Sequence, residues 1–247
     1  MRTTDSPQCS IAPGRSSVDS EHHAPTAIAL LRLCQLVSPA LPVGAYHFSQ
    51  ALEYAVHANW VHDERSAGEW IAGVASRAIG TLDVPILLRL YDAWQRNDVA
   101  SVTAWSRRLI AARESSELRA EERHMGRALA KVLVELQVDA SQSWVQRHDT
   151  SYASMFALAA MTWKIERTDT AHAYLWAWTE NQVLAALKLL PIGQSAGQRI
   201  LNALIPMIPE CVARAVDIVD DDICIATPRH AMASAWHETQ YSRLFRS

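Results

Sequence analysis

From Ile28 onward the apolar residues of this chain recur every three or four positions, the spacing that buries one face of a helix rather than of a strand. The pattern runs through Trp70/Ile71, Val74/Ala75 and Ala78/Ile79, and returns in Val84, Leu87, Leu88, Tyr91 and Trp94. Period-two alternation is scarce, and eight glycines in 247 residues leave few hairpin turns. Start signals agree: Asp63 is placed to cap a helix beginning at Glu64, and Asp83 one with Pro85 in its first turn. Across 114–138, Leu118, Met125, Leu129, Val132, Leu133 and Leu136 share a stripe, with Glu117, Glu121, Arg123 and Lys131 outside it. Residues 168–190 are apolar almost all round, which marks a central or interfacial helix. No repeat or composition break divides the body. The expectation is one all-α domain of about eight to ten helices over 27–228, a disordered Ser/Pro/His-rich leader at 1–26, and a distinct tail at 229–247.

A hydrophobic content of 49% is ample for a core, and a net charge of −3 without a Lys/Arg cluster argues against nucleic acid as a partner. Cys9, Cys34, Cys211 and Cys224 lack CxxC spacing, so neither a disulfide framework nor a structural zinc site is expected. With no signal-peptide core and no uninterrupted apolar run of membrane-spanning length, the expected location is the cytoplasm, away from membranes.

The tail holds Arg229, Trp236, His237, Glu238, Gln240, Tyr241, Arg243, Leu244, Phe245 and Arg246. Aromatics and arginines dominate protein–protein hot spots, so this composition suits capture by a partner. The alternative is a C-terminal helix docked on its own domain through Met232 and Trp236, four residues apart. Cys224, His230 and His237 combine ligand types suited to nickel or zinc, although their spacing does not assure four ligands at fixed distances. Lys188 stands alone in an apolar helix and shares a face with Glu180 and Leu184; it snorkels, pairs with a carboxylate, or faces a channel or interface. The Gly193–Gly197 turn lacks the lysine and Ser/Thr of a phosphate loop, and no Ser/His/Asp or Cys/His set stands out, so no nucleotide or catalytic chemistry is expected of the chain.

Four blocks occur in a telling order. The first runs from Leu33 through Ser38-Pro39-Ala40-Leu41-Pro42-Val43-Gly44 to Ser49-Gln50-Ala51-Leu52-Glu53, and the second from Arg113 to Gly126. The third runs from Glu180-Asn181-Gln182-Val183 to Arg199, and the fourth from His237 to Arg246. Together they resemble the UreF family of urease accessory proteins over about residues 28–247, with Ala45 and Ala51 where that family has glycines. The resemblance implies an all-α, non-enzymatic homodimer that binds the accessory protein UreD, also called UreH. That pair recruits the GTPase UreG, and the assembly passes nickel to apo-urease. No tightly bound cofactor is implied; Ni²⁺ is handled transiently by the complex. It further implies partner binding by the tail, GTPase-facing roles for Tyr46, Ser49, Glu53 and Arg199, and a nickel path or gate at Lys188 and Glu180. Arg199, Arg229 and Arg243 are arginine-finger candidates in the general sense that any exposed arginine beside a GTPase is one. A nickel-storing metallochaperone and a metal-dependent all-α hydrolase are the competing readings.

Overall fold

The computed structural model describes residues 26–225 and 227–247, so the expected leader lies, apart from Thr26, outside the described residues. Eleven α-helices and no strand occur among the described residues. They are α1 (Ala27–Val37), α2 (Leu52–His57), α3 (Glu64–Val74), α4 (Val84–Gln95), α5 (Val99–Ala112) and α6 (Ser116–Glu135), then α7 (Tyr152–Thr162), α8 (Arg167–Leu189), α9 (Gln194–Leu204), α10 (Met207–Asp217) and α11 (Pro228–His237). Short polar side chains start many of them. Thr26 caps α1, Asp98 α5, Ser115 α6 and Ser151 α7, each accepting a hydrogen bond from a backbone N–H of the first turn. The expected cap at Asp63 is a full capping box, with Ser66 returning a bond to the Asp63 backbone.

Asp83 does not cap a helix. It lies inside a continuous helical rod, Glu64–Gln95, whose middle stretch Ala75–Asp83 has π geometry. Pro85 lacks an N–H and its ring crowds the carbonyl four residues earlier; the wider turn just before it lets the helix continue. The rod is long and apolar enough to cross a membrane, but 78% of its most apolar window is buried among other helices, as befits a core element.

Ile86, Leu87 and Leu90 on α4 are fully buried against Phe156 of α7 and Leu175 of α8, at the centre of the larger core. A smaller core joins α2, α3, α8 and α9 through Leu52, Ile71, Val183 and Ile200, and Phe245 from the tail completes it. Two glycines permit close approach. A Cβ at Gly126 would stand 2.6 Å from the Ser151 carbonyl carbon, and one at Gly197 would stand 2.9 Å from Leu187. The Gly193–Gly197 segment is the helix-packing turn that its small residues suggest, with Gly193 at the start of α9. Ala51, just before α2, sits at φ 69°, a left-handed conformation that costs an alanine on the order of 1 kcal/mol.

Candidate partner-docking site at the folded tail

The tail is bound to its own domain. α11 turns His230, Ala233, Ser234 and His237 inward; Met232 stays exposed, and Trp236, half-exposed, lays its ring against Tyr54 and Trp60, so of the two residues expected to dock the helix on its own domain Trp236 makes that contact at the edge of the buried face. The Ser234 hydroxyl donates to that of Ser115 at 2.5 Å. Glu238 then reaches the start of α6, where its Oε1 accepts from the Ser116 N–H at 2.6 Å and the Glu117 N–H at 3.2 Å. The Ser116 hydroxyl and these amides hold the Glu238 carboxyl below its ordinary range.

Beyond α11 the chain lies across α2 and α6. Glu53 accepts the N–H of Leu244 at 2.6 Å and of Phe245 at 2.9 Å. His237, fully buried, sits between two carboxylates, with Nδ1 2.6 Å from Glu117 and Nε2 3.2 Å from Glu53. Arg243 donates to the other Glu117 oxygen. The Arg246 N–H donates to the His47 carbonyl, and the Ser247 carbonyl accepts from both the Ser49 N–H at 2.8 Å and the Ser49 hydroxyl at 2.6 Å. The Ser247 hydroxyl donates to Glu121, which also accepts from Gln50; Gln50 in turn accepts from the Trp178 indole. Phe245 and Ser247 are therefore 6% and 2% exposed, whereas Trp236, Tyr241, Leu244 and Arg246 face solvent.

This seam changes the reading of α6. Glu121, expected on the wet side of the stripe, is 4% exposed because the tail covers it, and burial pushes its carboxyl up to about 7. One residue on, Glu122 joins a buried cluster. Arg113 donates to Asp83 at 2.5 and 3.1 Å and to Glu122 at 2.5 Å; Glu122 also accepts from the first N–H of α7, at Tyr152, and Tyr174 donates to Asp83. Burial opposes the Arg113 charge, but the two carboxylates outweigh it and hold the guanidinium protonated. A cavity of about 90 Å³ lies beside this cluster, walled also by Leu36, Tyr46 and Glu180. Desolvation raises the Glu180 carboxyl above its ordinary value.

The remaining candidates are dispersed. Lys188 does not pair with Glu180; its Nζ lies 5.8 Å from the Tyr46 ring centroid and 5.5 Å from that of Phe245. Ser49 and Glu53 point inward onto the tail, so of the four GTPase-facing candidates only Tyr46 and Arg199 present themselves outward, and Arg199 is held by two bonds to Glu64 at 2.6 and 2.8 Å. Gln240 bonds the Ser242 carbonyl, and the Arg229 guanidinium lies over Trp60. The suggested Cys224, His230 and His237 ligand set does not assemble: both His237 nitrogens are engaged by carboxylates, and exposed Cys224 sits where its carbonyl accepts from Thr81. No group of three or more His, Cys, Asp or Glu among the described residues is placed to hold a metal ion. Sequence reasoning missed Glu117, Glu121 and Ser247 as tail anchors, and the Asp83–Arg113–Glu122 cluster altogether; the only available signal was that such charges interrupt otherwise apolar segments.

The UreF family model matches residues 61–205. A urease accessory protein UreF of Alkalilimnicola ehrlichii is 44% identical over 220 residues, covering 89% of this chain and 96% of that protein. One from Hahella chejuensis is 44% identical over 89% of this chain and 99% of its own length. A urease accessory protein UreF 2 of Brucella anthropi is 44% identical over 91% of this chain and 99% of its own length.

Proposed function

Because the chain belongs to the UreF family of urease accessory proteins, and is thus an accessory protein in urease maturation rather than an enzyme, we propose that it acts as the scaffold of a nickel-delivery complex in the cytoplasm. The tail surface receives UreD (UreH), the pair recruits the GTPase UreG, and the assembly passes Ni²⁺, its cargo, to apo-urease. One observation carries this reading. The tail is fixed from below by Glu53, Ser49 and Glu121 while Trp236, Tyr241 and Leu244 face outward, so the backbone that carries these hot-spot side chains is held on the domain before any partner arrives. The homodimer is assigned to the apolar face of α1 and α9, where Ile28, Leu30, Leu31 and Ile205 are exposed beside a groove lined by Leu33, Val37 and Trp176. Nickel passage is assigned to the cavity that Glu180 and Tyr46 wall, with Lys188 over the Tyr46 ring as a fixed positive charge near its rim.

The test is a co-purification from cells making urease and its helpers. Tyr241→Ala/Leu244→Ala should keep the wild-type circular dichroism and thermal midpoint, yet lose about 2 kcal/mol or more of UreD affinity and lower the nickel content of urease. Unchanged UreD capture by the folded variant refutes the assignment of the tail.

A further inference from the structure

A second cavity, of about 410 Å³, opens between α3, the π-turn that follows it and the N-terminus of α11. Trp60, Trp70, Arg77, Thr227, Arg229 and His230 line it. Three of these side chains carry buried polar atoms with no hydrogen-bond partner: the Trp70 indole nitrogen, the Thr227 hydroxyl and both ring nitrogens of His230. Thr227 and His230 are 9% and 5% exposed. Thr227 occupies the cap position of α11 without capping its own helix. A Glu114 oxygen stands 3.6 Å from His230 Nδ1, beyond hydrogen-bond distance. Buried polar groups are ordinarily paired, so three unpaired ones around a single cavity need an explanation.

Their chemistry leans toward donation, although the hydroxyl and the imidazole can also accept and Glu114 stands beside His230 Nδ1. An indole N–H only donates, a threonine hydroxyl and an imidazole each can donate, and the first turn of α11 adds its partial positive charge. Two guanidiniums stand at the rim. Arg77 folds back along α3 against Gly73, where a Cβ would lie only 2.7 Å from its Nη2, and the Arg229 guanidinium carbon is 5.9 Å from the Trp60 ring centroid. The wall's one carboxylate, Glu69, is already paired with Arg65 at 2.8 Å. Such a volume suits a small molecule, and a surplus of donors and cations suits an oxyanion.

We propose that this cavity binds the carboxylate or phosphate group of a small anionic molecule, with Thr227, His230 and Trp70 as floor donors and Arg77 and Arg229 as rim cations. The full chain, labelled with ¹⁵N, is titrated with succinate and separately with inorganic phosphate. The Trp70 indole N–H resonance, assigned by Trp70→Phe, is followed in both titrations. A saturable shift is expected with at least one probe, and the tighter of the two identifies the group recognised. Arg77→Gln/Arg229→Gln changes only exposed side chains and should weaken binding on the order of tenfold with an unchanged thermal midpoint. Absence of a saturable shift with both probes, or equal affinity in the double variant, overturns the proposal.

Discussion

Replacing Glu121 with glutamine should make the protein's stability less dependent on pH. In the folded chain the carboxyl is covered by the tail and its pKa rises from the ordinary 4.5 to about 7, because burial disfavours the charge more than the Gln50 and Ser247 bonds favour it. Between those values the native state holds a proton that the unfolded chain has released. Stability from this group is therefore fully present below pH 4.5, falls as pH rises, and is gone above about 7. At about 1.4 kcal/mol per pH unit the span amounts to about 3 kcal/mol. Glutamine keeps the geometry: its carbonyl accepts from Gln50 and its amide donates to the Ser247 hydroxyl. Urea unfolding followed by circular dichroism, from about pH 5 to about pH 8, should show Glu121→Gln gaining on the wild type as pH rises, by up to about 3 kcal/mol. A stability difference that is constant with pH, or that shrinks as pH rises, refutes the reasoning.

Arg113→Met leaves Asp83 and Glu122 buried without their cation and should cost about 3–5 kcal/mol in urea unfolding; a loss below about 1 kcal/mol would mean the cluster is wetter than its geometry indicates. Lys188→Met removes only stacking on Tyr46 and Phe245, so stability should change by no more than about 1 kcal/mol, while the nickel content of urease matured with the variant shifts; unchanged content would confine Lys188 to that stacking role.

The helices were legible because burying one face imposes a period that survives in the sequence, as along α6, and because start signals such as the Asp63 capping box are local. Asp83 misled because an acidic residue two positions before proline resembles a helix start, whereas its carboxylate serves Arg113, 30 residues away. Glu121 misled for a related reason. Periodicity separates the face toward the core from the rest, but it carries no information about a segment 126 residues later in the chain that covers the polar side. In the tail, composition singled out a set of residues without dividing those that turn inward from those that face out. Leu244 outside and Phe245 inside are neighbours of similar character; Glu53 holds both amides, and the smaller core and Lys188 receive the Phe245 ring.

The seam between Glu53 and Phe245 also imposes an order of assembly during synthesis. The two are 192 residues apart, so at ordinary translation rates on the order of 10–40 s separates the emergence of one from the other. Until Phe245 emerges, α2, and α6 once it has been made, lack the strap that covers them, with the carboxylates of Glu53, Glu117 and Glu121 open to water and the smaller core short of an aromatic ring. Residues 244–247 thus act as a latch on α2 and α6, and an unlatched chain differs from a latched one in the very surface a partner would inspect.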